Sequence, residues 1–193
     1  MHLVIFLEET SSEDVLGVLL PQILGGEHTW ELHPHRGKAD LMGKLLPKLR
    51  GYARMRQPDW RFVVLCDQNA GSCRELKARL LEIGRQAGLT DMLVRIAVTE
   101  LEAWFLGDAE ALESVFPRLR SARISTSARY RYPDRRPRPS NDLDRELKRA
   151  GYLEGYLKGR HASEIAQAMD VKRNRSSSFR VFVEGLQRIT KGP

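Results

Sequence analysis

Arg61-Phe62-Val63-Val64-Leu65-Cys66-Asp67-Gln68-Asn69 is an apolar, mostly β-favouring run that ends abruptly in a carboxylate. Gly71 and Ser72 follow, and then the period of an amphipathic helix from about Cys73. An apolar run bounded by turn residues and followed by a helix reads as a buried strand of a parallel sheet. In open sheets of that kind the carboxyl ends of the strands face the ligand crevice, which places Asp67 there.

Working outward, Leu3–Leu7 is a second buried strand and ends in Glu8-Glu9. A helix with Val15, Leu16, Leu19, Leu20 and Ile23 follows, with a kink or early end expected at Pro21 and a stop at Gly25-Gly26. Trp30–His33 is a weak strand closed by Pro34. The turn His35-Arg36-Gly37-Lys38 then leads to a helix from about Asp40 that carries Leu41, Leu45, Leu49 and Tyr52, interrupted by Pro47. Beyond the central strand, the helix Cys73–Gln86 is capped by Gly88, and Leu93–Val98 is a fourth strand. A helix runs from Gly107-Asp108 through Phe116. The β-α alternation predicts an α/β fold: a mostly parallel sheet of about four strands with helices on both faces. After Ser140 the pattern is helical, with helices to Ala150, around Ser163–Met169 and from Ser176–Ser178. The expected organisation is an α/β domain over 1–117, a basic stretch over 118–140 and a helical extension over 141–193 packed on the core.

Composition narrows the function classes. The 193 residues are 41% hydrophobic and 30% charged, as in a globular domain with a real core. Cys66 and Cys73 are too few for a disulfide framework, and reduced cysteines point to the cytoplasm. No apolar run approaches the ~18 residues of a membrane span. No Walker motif, nucleophile elbow or dinucleotide fingerprint is present, and His33 and His35 lack zinc-ligand spacing. The net charge is +7 with a pI of about 9.7, which favours a polyanionic partner. Between Arg118 and Ser140 there are eight arginines and one acid, Asp134, a surplus equal to the net charge of the whole chain. With no clear period, this stretch reads as a loop or mobile arm.

Three acidic sets end predicted strands: Glu8/Glu9, Asp67 and Glu100/Glu102. In a parallel sheet all three reach one edge, where crowded carboxylates raise one another's pKa. A divalent cation relieves that repulsion, and Mg²⁺ takes oxygen ligands, often one or two carboxylates plus substrate phosphates. The competing reading is a set of solvated acids at loop starts. Arginines of the basic stretch, Arg129, Arg131, Arg135 and Arg136 among them, suit phosphate contacts, and Tyr130 and Tyr132 suit stacking on unpaired bases. A solvated or partner-covered basic loop is the alternative. Arg36 and Lys38 flank a turn at the same edge and are further phosphate-binding candidates, as is Lys77 on the helix after Asp67.

Three motifs in order carry a family resemblance. They are Leu-Glu-Glu-x-Ser-x-Glu (Leu7–Glu13), Val-Val-Leu-x-Asp with Cys-x-x-Leu-Lys (Val63–Asp67, Cys73–Lys77) and Glu-Leu-Glu-Ala-Trp-Phe-Leu-Gly-Asp (Glu100–Asp108). Together they resemble a prokaryotic family of unknown function regarded as TOPRIM-like, akin to the TOPRIM domains of topoisomerases, primases and overcoming-lysogenization-defect nucleases. The likeness covers about residues 1–110 and extends more loosely over Asn174–Leu186, with Asn-Arg-Ser-x-Ser-Phe. It implies that Glu8 is the TOPRIM glutamate, a general acid/base or metal ligand, and that Asp67 is the first aspartate of Asp-x-Asp. Asn69 stands where the second aspartate is expected, so either metal affinity is weaker or Glu100 and Glu102 supply the missing charge, with Glu100 preferred as nearer the strand end.

The expected function is a Mg²⁺- (or Mn²⁺-) dependent nuclease on DNA or RNA. Glu8 and Asp67 are its catalytic pair, and Asn69, Glu100 and Glu102 complete the metal set. The resemblance also implies an ABC-type or structural-maintenance-type ATPase partner and a role in defence against phage, and homo-oligomerisation is left open. The alternatives are a non-catalytic nucleic-acid-binding or regulatory subunit that retains the fold, and a toxin-like RNase.

Overall fold

The computed structural model describes residues 1–69 and 71–191. Strands β1 (His2–Leu7), β2 (Thr29–Pro34), β3 (Trp60–Asp67) and β4 (Leu93–Ala97) form a parallel sheet in the order β2-β1-β3-β4. Alternation along the two central strands builds two cores. Leu3, Ile5, Leu7, Val63 and Leu65 point to one face, and Val4, Phe6, Phe62, Val64 and Cys66 to the other. Burial on both faces explains why these strands read as unbroken apolar runs.

Helices α2 (Lys38–Met55) and α3 (Cys73–Gln86) cover the second face through Leu41, Leu45, Leu49 and Leu80. Helix α1 (Thr10–Leu24) covers the first. Contrary to expectation, α1 and α2 run through Pro21 and Pro47. Leu19, Leu20 and Ile23 are buried around Pro21, and Leu45 and Leu49 around Pro47. At about 1.5–3 kcal/mol per buried side chain, this outweighs the ~3 kcal/mol cost of an interior proline.

The same face also takes the rest of the chain: α4 (Glu102–Gly107), α5 (Ala109–Val115), α6 (Ser121–Ser125), α7 (Pro139–Arg149), α8 (Lys158–Ala168) and α9 (Ser177–Thr190). The expected helix over 107–116 is α5, with Asp108 as its N-cap through Ala111 N–H (3.2 Å), and α4 is a separate short helix ahead of it. Helix α8 starts at Lys158, ahead of the expected Ser163. No helix among the described residues is long and apolar enough to cross a membrane.

The arginine-rich stretch departs from its reading as a loop or mobile arm. It forms α6 and two 3₁₀ turns, Ala128–Tyr130 and Pro133–Arg135, with Leu119, Ile124 and Tyr130 buried in the core. Three of its eight arginines pair with α7: Arg129 and Arg136 with Asp142, which also accepts from Arg145 of α7 itself, and Arg123 with Glu146, which also accepts from Arg149 of α7. Burial pushes the Asp142 carboxyl up, but the three guanidinium groups outweigh it and hold it below the ordinary range.

Two of the sequence motifs dock on each other. Trp104 is fully buried, stacks on Phe182 at 5.2 Å and donates Nε1–H to Ser178 Oγ (2.9 Å). Asn174 Nδ2 donates to the Trp104 carbonyl (2.8 Å). The start of α9 is held by Asp134, which accepts from Ser176 Oγ (2.8 Å), from Ser177 N–H (2.6 Å) and from Ser178 Oγ.

Candidate functional site

Strands β1 and β3 lie side by side, while their connections lead to opposite sides of the sheet, so their carboxyl ends mark the topological switch point where α/β folds bind ligands. Glu8 follows β1 there and Asp67 ends β3. The Glu8 carboxylate accepts the Asp67 backbone N–H at Oε2 (3.0 Å) and Asn69 Nδ2 at Oε1 (3.2 Å). Burial raises the Glu8 pKa above its ordinary value, opposed by the Lys38 charge. The Asp67 carboxyl is pushed well above the usual range, by burial first and then by Glu102, with Lys158 opposing.

Asn69 has φ 54° and Thr99 φ 62°, both in the left-handed region, and Asn69 N–H donates to Thr99 O (2.9 Å). Asparagine tolerates that conformation, but a β-branched threonine is strained in it. Such strain gathers at functional edges. The Thr99 bend also separates the two glutamates that follow. Glu100 turns away and accepts Ser140 N–H with Oε2 (2.8 Å), holding the first turn of α7. Of the two, Glu102, at the start of α4, is in electrostatic contact with Asp67, and Glu100 acts on Glu102 and Tyr156.

Glu102 is 1% exposed. Its Oε1 accepts Tyr156 Oη–H and faces Lys158 Nζ, both at 3.2 Å, and its buried Oε2 has no hydrogen-bond partner. Burial raises its pKa, and Lys158 works against that rise. Lys158 also contacts Glu9 and thus bridges the end of β1 to α4. Neither Lys158 nor Tyr156 was nominated from sequence. They reach the edge by closure of a long chain segment, and no motif or period marks them.

The other nominated cations divide. Lys38 donates to the carbonyls of Asp67 (2.7 Å) and Gln68 (2.9 Å), fixing the end of β3. Arg36 makes no ion pair among the described residues and lines an open groove of about 530 Å³ with Glu9, Ser11, His35, Gly37 and Lys158. Helices α1 and α2 begin at this groove, and neither N-terminus has a side-chain cap. His35 is buried beside it. Its Nδ1–H donates to Leu7 O (2.8 Å), Lys48 Nζ donates to its Nε2 (3.1 Å), and burial lowers its pKa.

Lys77 lies away from this edge, on the open side of β4. In the basic stretch Arg129 and Arg136 are tied to Asp142. Arg135 stacks over Tyr132 (4.5 Å), and Arg131 makes no ion pair among the described residues. Tyr130 cannot stack on bases, because it is 2% exposed and donates Oη–H to Glu146 (2.9 Å). Tyr132 remains 55% exposed.

Among the described residues, no group of three or more His, Cys, Asp and Glu side chains has metal-holding geometry. The donors at the edge are all oxygens, as a hard cation requires, and Glu102 Oε2 is an unpartnered buried acceptor. Oxygen donors of this kind are the type that Mg²⁺ takes. No curated protein and no solved structure matches the chain. The sequence profile of the family described as Domain of unknown function (DUF4276) matches residues 7–187, nearly the whole length, and the protein belongs to that family.

Proposed function

We propose that this protein is a Mg²⁺- or Mn²⁺-dependent nuclease that hydrolyses phosphodiesters of DNA or RNA through a TOPRIM-like edge. One observation carries the reading: Glu8, Asp67 and Glu102, from three separate strand ends, are buried together at the switch point with their proton affinities raised. Structural acids are seldom gathered this way, and functional ones commonly are. Asp67 and Glu102 are the residues that would hold the cation, with Glu8 adjacent. The cation would activate water and offset charge on the phosphoryl group. Glu8, with its raised pKa, exchanges a proton at a carboxylate oxygen. Arg36 and the uncapped starts of α1 and α2 orient a phosphate in the groove. Arg131 and Arg135 hold backbone farther out. An ATPase partner of the ABC or structural-maintenance type, and a role in phage defence, follow from the TOPRIM-like resemblance and belong to this same proposal.

A second reading rests on a specific observation. Lys158 meets Glu9 and Glu102, and Asn69 meets Glu8, so the chain supplies partners for these carboxylates from within. That arrangement suits a non-catalytic nucleic-acid-binding subunit. Cleavage of plasmid, single-stranded DNA and tRNA with Mn²⁺, run beside thermal melting with and without the metal, separates the two. The nuclease reading expects cleavage and a metal-induced rise in melting temperature, both lost in Asp67→Ala. No melting shift at millimolar metal and no cleavage would overturn it.

A further inference from the structure

β4 is an outer strand of the sheet, with β3 on one side and no strand on the other. Gln68 N–H donates to Ala97 O (2.8 Å), so the polar groups of Ala97 face β3. Alternation then turns those of Val94, Ile96 and Val98 outward. Two of the outward carbonyls are covered from within: Val94 O by Arg95 Nη1 (3.0 Å) and Val98 O by Thr99 Oγ1 (2.8 Å). Ile96 keeps both its amide and its carbonyl for a ladder partner. Arg95 also donates Nε–H to Val181 O on α9 (2.9 Å), which shields one end of the edge and leaves the rest open.

This open edge is the floor of a groove of about 230 Å³ between α3 and α9. Arg74 and Lys77 line the α3 side, and Val181, 48% exposed, lines the α9 side. Among the described residues, no acidic side chain lines the groove and neither Arg74 nor Lys77 makes an ion pair. We propose that this groove docks an extended acidic segment of a partner protein, which adds to β4 as a fifth strand. The side chains of an added strand alternate between its two faces. Those facing α3 meet Arg74 and Lys77 and are acidic. Those facing α9 meet Val181 and are apolar. A nucleic-acid strand would use the cations but would leave the Ile96 amide and carbonyl without partners.

The test titrates the full chain against a fluorescein-labelled octapeptide of alternating glutamate and valine, read by fluorescence polarisation. The comparison probes are the lysine–valine counterpart, the glutamate–valine peptide N-methylated on alternate amides, and single-stranded oligothymidylate. The glutamate–valine peptide is expected to bind saturably and to weaken by about tenfold or more in Arg74→Glu/Lys77→Glu, where two attractive charges become repulsive. Methylation of the ladder-facing amides should weaken it comparably without altering the protein. The proposal is overturned by absence of saturable binding at millimolar peptide, by equal binding of the lysine–valine or methylated probes, or by oligothymidylate binding more tightly through the same two cations. The last result would assign the groove to nucleic acid.

Discussion

Replacing Lys158 by methionine removes the ammonium facing Glu102 and keeps most of the aliphatic stem. Glu102 is 1% exposed, its Oε2 is already unpartnered, and only the Tyr156 hydroxyl at 3.2 Å would remain on Oε1. Breaking a fully buried pair costs on the order of 3–5 kcal/mol. The Lys158 side chain is 38% exposed, so solvent screening reduces the expected loss to about 2 kcal/mol at neutral pH. The pH dependence identifies the cause. Glu102 and Asp67 have folded pKa values raised above their unfolded ones, chiefly by burial, so the folded state binds more protons than the unfolded state. Their contribution is fully present below the unfolded values near pH 4 and is lost as pH rises through the folded values. Lys158 restrains that rise. In Lys158→Met the stability deficit should therefore be small near pH 4 and grow toward about pH 8. Urea unfolding followed by tryptophan fluorescence, in steps of pH, measures it. Adding Glu102→Gln should recover part of the loss, because the stranded charge is gone. A deficit that is constant with pH would refute the reasoning and reassign the loss to packing of the lysine stem.

Other outcomes follow from the same geometry. Asn69→Asp exchanges the 3.2 Å amide contact with Glu8 for repulsion and should cost about 1.5–3 kcal/mol in metal-free buffer, while enlarging the Mn²⁺-induced melting shift in scanning calorimetry. Metal binding should release protons from the raised carboxyls, so Mn²⁺ affinity measured calorimetrically should tighten from pH 5 to pH 8, and the apparent enthalpy should vary with the buffer's ionisation heat. Asp134→Ala leaves the Ser176 cap of α9 in place but removes the carboxylate that ties Ser176, Ser177 and Ser178 to the arginine-rich turns, costing about 1.5–3 kcal/mol in urea unfolding and increasing proteolysis between residues 125 and 138. Gly107→Ala would bring a Cβ within 2.2 Å of Asn174 Oδ1 and 2.9 Å of Ser176 N, and overpacking of about 1–3 kcal/mol should lower the melting temperature.

The sheet was legible because burial on both faces writes itself into β1 and β3 as continuous apolar runs, and Glu8 and Asp67 were legible because each run ends in a charge. The choice between Glu100 and Glu102 was not. It depends on a left-handed φ at Thr99, a residue type that almost never signals one. Lys158 was hidden for another reason: its partners lie far away in sequence, and its neighbours carry no pattern tied to them. The arginine-rich stretch was misread by composition, although a usable signal stood close by. Asp142 and Glu146 are one helical turn apart on a polar helix, which gives the arginines a single acidic stripe to fold against. Serine and proline content suggested mobility, yet the buried Leu119, Ile124 and Tyr130 tie the segment to the core.

The charge balance at the strand ends connects both functional readings. Four carboxylates, Glu8, Glu9, Asp67 and Glu102, share the edge with two ammonium groups, Lys38 and Lys158. That leaves a formal deficit of two positive charges. Burial is the largest cause of the raised proton affinities of Glu8, Asp67 and Glu102, and the neighbouring carboxylates add to it. In the proposed nuclease reading, a divalent cation would relieve the same crowding. Asn69 belongs in the same balance. An aspartate there would enlarge the deficit beyond a single dication, whereas asparagine satisfies Glu8 without adding charge and accepts the left-handed backbone at that position. Under the proposed nuclease reading, Glu102 at the start of α4 supplies the second negative charge beside Asp67 that Asn69 does not.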